Sequence, residues 1–176
     1  CGGELLLNFQ LNDGPNDLGV VTVVLRAGVV RTALGQNFDR VSGPALPQRW
    51  SSSATGAQNS WKASRSRSVS GAKSLFSPDP NQIGLNELTS PAFQINTAGA
   101  EVSFQNWYEL ETTFLRNRLY DGSVMEIKIG DADWQDIIAA GGLFLSGGYD
   151  GVIDSCCQNP LGGRQQCAQI LAQRRR

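Results

Sequence analysis

Carboxylates are the residues of this chain whose type and spacing could do chemistry. Glu109, Glu111, Asp121 and Glu126 surround one loop, and Asp39, Asp79, Asp131, Asp133, Asp136, Asp150 and Asp154 lie elsewhere. A pair of them could run glycoside hydrolysis if one pKa were raised and a second carboxylate stayed ionised a few ångströms away. Nothing in the spacing fixes such a pair. Histidine is absent, which removes the Ser-His-Asp and Cys-His arrangements, the HExxH zinc helix and the commonest general base near neutral pH. The chain therefore reads as a non-enzyme. As hard oxygen donors, the same carboxylates suit Ca²⁺. Gly130 to Trp134, GDADW, lacks the spacing and terminal Glu of an EF-hand loop and reads as a turn between strands.

The elements that must position these groups read as strands. Val102, Phe104, Tyr108 and Leu110 share one parity while Gln105, Glu109 and Glu111 take the other, and Met125, Ile127 and Ile129 alternate with Glu126 and Lys128. That period of two predicts a strand on each side of the carboxylate loop. Near the N-terminus, ELLLNFQL (residues 4 to 11) places Leu5, Leu7, Phe9 and Leu11 inward, and GVVTVVL (19 to 25) is a β-branched run. Asp13-Gly14-Pro15 supplies the turn, so a β-hairpin is expected. Such a hairpin is marginal alone in water and reads as the end of a preceding module.

From Val41 to Ser74 the chain is rich in Ser, Gly, Pro and Arg and reads as irregular, anchored by Trp50 and Trp61. Arg65, Arg67 and Lys73 read as a solvated loop, since three charges without interleaved aromatics make no nucleic-acid groove. FSPDP (76 to 80) is a turn, and LTSPAFQI (88 to 95) a short strand. Gly141-Gly142 and Gly147-Gly148 read as turns or bulges; no Lys-Ser/Thr follows them, so a phosphate loop is not expected. Trp107 reads as packing between layers, and Trp134 as a loop anchor.

Composition fits one domain plus an appendage: 176 residues, 40% hydrophobic, with 15 basic and 16 acidic residues for a net charge of −1. That balance gives no field that would recruit nucleic acid or an anionic membrane. No apolar run approaches the length of a membrane span. Cys1, Cys156, Cys157 and Cys167 match no zinc or haem spacing. A Cys157 to Cys167 bridge and free thiols are both open; adjacent cysteines seldom pair with each other.

Taken as an ordered series, FD (38 to 39), PALPQRW (44 to 50), Trp61, FSPDP (76 to 80), LTSPAF (88 to 93), VSFQNWYELE (102 to 111), YDGSVMEIKI (120 to 129), WQDI (134 to 137), GGYDGVI (147 to 153) and PLGGR (160 to 164) carry a resemblance. They resemble a jelly-roll accessory module of large secreted or surface bacterial proteins, distantly similar to MAM domains and to carbohydrate-binding jelly rolls. The resemblance covers roughly Asn37 to Arg164 and implies an all-β fold, a jelly-roll-type β-sandwich preceded by a β-hairpin from a neighbouring module. The implied division is residues 1 to 35 (hairpin and linker), 36 to 164 (jelly roll) and 165 to 176 (a divergent, disordered or helical tail).

The implied function is non-catalytic binding or spacing, extracellular or at the cell surface. Implied partners are neighbouring domains of the same polypeptide and a glycan or surface protein. The alternatives are an accessory domain of a secreted hydrolase such as a peptidase, and an autonomous carbohydrate-binding module. Calcium is the implied ion, because jelly rolls often tie a first strand to a loop through one; Asp39 and Asp79, then Glu111 and Asp121, are its candidate ligands. The pattern departs after Arg164, where QQCAQILAQRRR replaces the closing strands such modules carry. A C-terminally truncated module with unpaired sheet edges is the expectation.

Overall fold

The computed structural model describes residues 3–28, 31–96, 99–113 and 118–166. It is almost entirely strand and loop; the one helical turn among the described residues is a 3-10 turn at Cys156–Gln158. The chain is all-β.

It divides into two units, one of Cys1–Gln36 with Phe93–Ala98 and one of Asn37–Ala92 with Gly99–Arg176. In the first, β1 (Gly3–Asp13) pairs antiparallel with β2 (Asn16–Ala27), from Gly3 opposite Ala27 to Asp13 opposite Asn16. The expected hairpin is there. Its turn is set by Gly14 at φ +58, a left-handed conformation that glycine adopts without steric cost. A register shift between Leu11 and Asn12 follows, and beside it the Asp17 carboxylate accepts the Gly19 N–H at 2.7 Å.

One expectation for the hairpin fails. Leu5, Phe9 and Leu11, placed inward by their parity, are exposed, as are Leu6, Leu18 and all four valines of β2. Alternation fixes which side chains share a face, but it does not supply the layer that would cover that face.

In the second unit every ladder among the described residues joins only two strands, all antiparallel. β3 (Ser51–Gly56) pairs with β6 (Gly84–Thr89), and β4 (Lys62–Ser64) with β5 (Ser74–Phe76). β7 (Thr112–Thr113) pairs with β8 (Arg118–Leu119), β9 (Glu126–Ile127) with β10 (Gln135–Asp136), and β11 (Gly151–Val152) with β12 (Gln165–Gln166). A parallel bridge links Leu119 to Ile153.

Two strands therefore stand inside the stretch 41 to 74 that reads as irregular from its composition. The polar residues of β3 are held by their own side chains: Ser52 Oγ donates to the Glu87 carbonyl at 2.7 Å, and Ser53 Oγ to Glu87 Oε2 at 2.6 Å. Conversely, the alternating residues 102 to 111 form no strand; pairing begins at Thr112. The strand expected over 88 to 95 ends at Thr89, and Pro91 lies beyond it. Gln165 and Gln166, assigned to the tail, form β12, while residues 167 to 176 lie outside the described set.

Trp61 is an anchor as expected, its backbone N–H donating to Ser52 Oγ at 2.9 Å and its Nε1 to Asn86 Oδ1 at 3.2 Å. Trp50 meets Phe38 edge-on, ring centroids 5.4 Å apart. Trp107 and Trp134 depart from expectation, both being about half exposed. The buried residues among those described are Val41, Pro47, Ala63, Ile153 and Gln166.

Candidate functional site

Among the four nominated ion ligands, Asp39 is committed to its own neighbourhood. Its Oδ1 accepts the backbone N–H groups of Ala72 at 2.6 Å and Lys73 at 3.1 Å, tying the start of the second unit to a loop 33 residues away. Gly71, at φ +64, passes so close that a Cβ there would overlap the Asp39 carboxylate. Only glycine suits that position on both counts. Lys73 Nζ donates to the Val41 carbonyl and closes the same loop.

The other three share an electrostatic neighbourhood. Asp121 Oδ2 accepts the Glu111 N–H at 3.0 Å, and the Tyr120 N–H donates back to the Glu111 carbonyl at 3.1 Å, so the two carboxylate-bearing loop ends are laced together. Burial first, then the charges of Asp121 and Glu111, push the Asp79 carboxyl above the ordinary carboxylate range. Among the described residues, however, no group of three or more His, Cys, Asp or Glu side chains is placed to hold a metal ion.

The raised Asp79 has a definite sign. A carboxyl whose folded pKa exceeds its unfolded value of 3.8 favours folding while protonated; that contribution is full below pH 3.8 and is lost as pH rises through the folded pKa. Asp79→Asn is accordingly expected to raise the melting temperature at pH 7 by about 1–2 °C, the small size reflecting solvent screening at a largely exposed group. The gain should vanish below pH 3.8. Thermal scans by circular dichroism at pH 7 and pH 3 check this; a variant less stable than wild type at pH 7 would show that the carboxylate is needed ionised.

A second cluster was not legible in the sequence. Arg164 donates from Nη1 to Glu126 Oε1 at 2.6 Å and from Nη2 to Asp136 Oδ2 at 3.3 Å, joining the loop before β12 to both β9 and β10. Tyr149 OH donates to the same Asp136 oxygen at 2.9 Å and accepts the Met125 N–H at 2.9 Å, while Asp136 Oδ1 accepts the Ile138 N–H at 2.9 Å. Burial alone would raise Asp136, but the Ile138 N–H, the Tyr149 hydroxyl and Arg164 outweigh it and hold the carboxyl below its ordinary range. Glu126 and Asp136 thereby brace the β9–β10 ladder. Asp136, its carboxyl held low, is not set apart as a proton donor, since a general acid near neutral pH needs a raised pKa.

Glu87, Asp17 and Asp154 hold serine, glycine and cysteine backbone or hydroxyl groups in the same way; Asp154 Oδ1 accepts the Cys156 N–H at 2.8 Å. Cys156 and Cys157 are adjacent thiols in the 3-10 turn, their sulfurs 2.7 Å apart, with Cys157 at φ 64. The neighbouring thiol first, then burial and Asp154, push Cys156 up to about 11, so it stays protonated at neutral pH and is a poor nucleophile. Cys167 and its suggested bridge lie outside the described residues.

The exposed aromatics complete the inventory. Arg67 sits over the Trp107 ring with its guanidinium carbon 3.7 Å from the centroid, a cation–π contact. No helix is long and apolar enough to cross a membrane among the described residues. The chain matches no family model, no curated protein and no solved structure.

Proposed function

We propose that the chain is a non-catalytic binding or spacer module of a larger extracellular or cell-surface protein, its strands belonging to a jelly-roll-type, MAM-like sandwich. The observation that carries this reading is the use to which its acidic side chains are put. Asp39, Asp121 and Asp136 each accept backbone N–H groups that fix a loop, and Asp136 is held ionised by Arg164 and Tyr149. Carboxylates used in this way set loop positions where few apolar side chains are buried among the described residues. In a secreted peptidase or other hydrolase the module would serve as an accessory domain, the chemistry residing in other domains. The test is turnover: the chain is expected to hydrolyse polysaccharide and peptide substrates no faster than buffer.

Calcium belongs to this proposal. The hard oxygens of Asp79, Glu111 and Asp121 are the donors it prefers, and a cation there would offset the mutual repulsion felt by Asp79. Asp39 is already engaged by Ala72 and Lys73. A ligand that binds only the folded state must stabilise it. Millimolar Ca²⁺ should therefore raise the wild-type melting temperature and leave Asp79→Asn less responsive; a wild-type transition identical in Ca²⁺ and in chelator removes the ion from the account.

A carbohydrate-binding role is the second reading, and the exposure of Trp107 and Trp134 favours it. An exposed indole offers a flat apolar face to a sugar ring. Titration with polysaccharide should quench tryptophan fluorescence, and Trp107→Ala should weaken binding about tenfold, as the loss of one stacking contact of roughly 1–1.5 kcal/mol implies. An unchanged spectrum across a glycan panel rules this reading out.

A further inference from the structure

The β1–β2 hairpin presents two unlike faces, and its register says which residues each contains. On one lie Leu5, Phe9 and Leu11 of β1 with Val21, Val23 and Leu25 of β2, where Leu5 stands opposite Leu25 and Phe9 opposite Val21. All six are exposed, Leu5 at 55% and Phe9 at 50%. The opposite face is interrupted by polar pairs: Thr22 Oγ1 donates to Asn8 Oδ1 at 2.7 Å, and Gln10 Nε2 donates to Asp17 Oδ1. One face is continuous hydrocarbon and the other is not.

Nothing in the strands guards that hydrocarbon face. From Leu5 to Asn12 and from Leu18 to Leu25 there is no charged residue, whereas soluble monomers rarely leave a large contiguous apolar patch uncovered. A two-stranded hairpin is also marginal in water until its apolar face is covered.

We propose that this face binds its counterpart on a second copy of the chain, the two hairpins packing face to face about a twofold axis. The surface is self-complementary because every residue on it is apolar, so no unmatched charge is desolvated when identical faces meet. Its size also suffices. Six half-exposed side chains offer roughly 500 Å² per copy, and two copies would bury about 1,000 Å², the threshold for a specific protein interface. Packing two hairpins at the usual sheet separation of about 10 Å produces a four-stranded sandwich with a core that neither hairpin has alone. This inference goes beyond the module proposed above and does not depend on it.

Sedimentation of the whole chain between about 1 and 100 μM tests it at the affinities such interfaces reach. Wild type should approach twice its 19.0 kDa monomer mass. Phe9→Lys and Val23→Lys, which place a charge in the apolar face, should weaken association at least a hundredfold. Thr22→Lys adds the same charge to the opposite face and should leave the dimer unchanged. All four tryptophans, Trp50, Trp61, Trp107 and Trp134, belong to the second unit, so an unaltered emission spectrum verifies that each hairpin variant keeps that unit folded. A wild type that stays at 19.0 kDa throughout overturns the proposal and assigns the face to another β module. Association that Phe9→Lys and Val23→Lys do not weaken, or that Thr22→Lys weakens equally, overturns it too.

Discussion

Ile153→Ala is expected to destabilise the second unit by about 3 kcal/mol, within the range for truncating a buried isoleucine, lowering its melting temperature by roughly 10 °C. Ile153 is the most deeply buried apolar residue described, at 1% exposure. It is also where several connections converge. Its N–H donates to the Arg164 carbonyl at 3.0 Å, its carbonyl accepts the Gly163 N–H at 2.8 Å, and it bridges to Leu119. Gly122 leaves room for the side chain, since a Cβ at that position would lie 2.8 Å from Ile153 Cδ1. With so few buried neighbours to repack, the cavity left by truncation has little to fill it. Urea unfolding followed by tryptophan fluorescence measures the loss. A cost under about 1 kcal/mol would mean that the surroundings collapse freely and that Ile153 is not the centre of a core.

Gln166→Met should act in the opposite direction, stabilising the unit by about 1–2 kcal/mol. Gln166 is fully buried, and neither its Oε1 nor its Nε2 has a hydrogen-bond partner among the described residues. The amide lies against Gly122, where a Cβ would come within 2.7 Å of Oε1, and near Ile153. A buried amide without partners bears the full cost of leaving water. Methionine keeps the length and flexibility of glutamine while removing that cost, and it leaves the backbone carbonyl free to accept the Asp150 N–H at 2.9 Å. Because Ile153 and Gln166 flank the same glycine, their substitutions should not be additive. A destabilised Gln166→Met would show that the amide is hydrogen-bonded in the folded protein.

The hairpin was the most legible part of the fold, because an eight-residue alternation and an Asp-Gly-Pro turn act locally and need no knowledge of the rest of the chain. Its burial was not legible, since parity says which residues share a face and nothing about what covers it. Residues 102 to 111 show the same limit more sharply. They alternate as a strand should, yet a strand exists only where a partner accepts its ladder, and pairing starts at Thr112. β3 fails in the other direction, because Ser51 to Gly56 carries almost no β-forming side chains and is stabilised by serine bonds to Glu87, distant in sequence. For the carboxylates, the sequence supplied the groups without their uses. Asp39 gave no sign that it would tie down Ala72 and Lys73, and nothing near Arg164 announced partners at Glu126 and Asp136. Both links span about thirty residues, beyond the reach of any local pattern.

Asp39, Asp121 and Asp136 hold loops in place through the backbone N–H groups they accept, and on the proposed function they carry out no reaction. The most direct measurement pairs turnover with stability for wild type, Asp39→Asn, Asp121→Asn and Asp136→Asn. Each substitution removes a charge that accepts backbone N–H groups, and each should cost about 1–2 kcal/mol, Asp136→Asn most clearly at pH 7. Because the folded pKa of Asp136 is depressed, its contribution is present above the unfolded pKa of 3.8 and disappears as pH falls through the folded value. Hydrolysis of polysaccharide and peptide substrates should equal the buffer control for all four proteins. Turnover above that control in wild type, abolished by a substitution that leaves stability intact, would contradict the account and identify that carboxylate as catalytic.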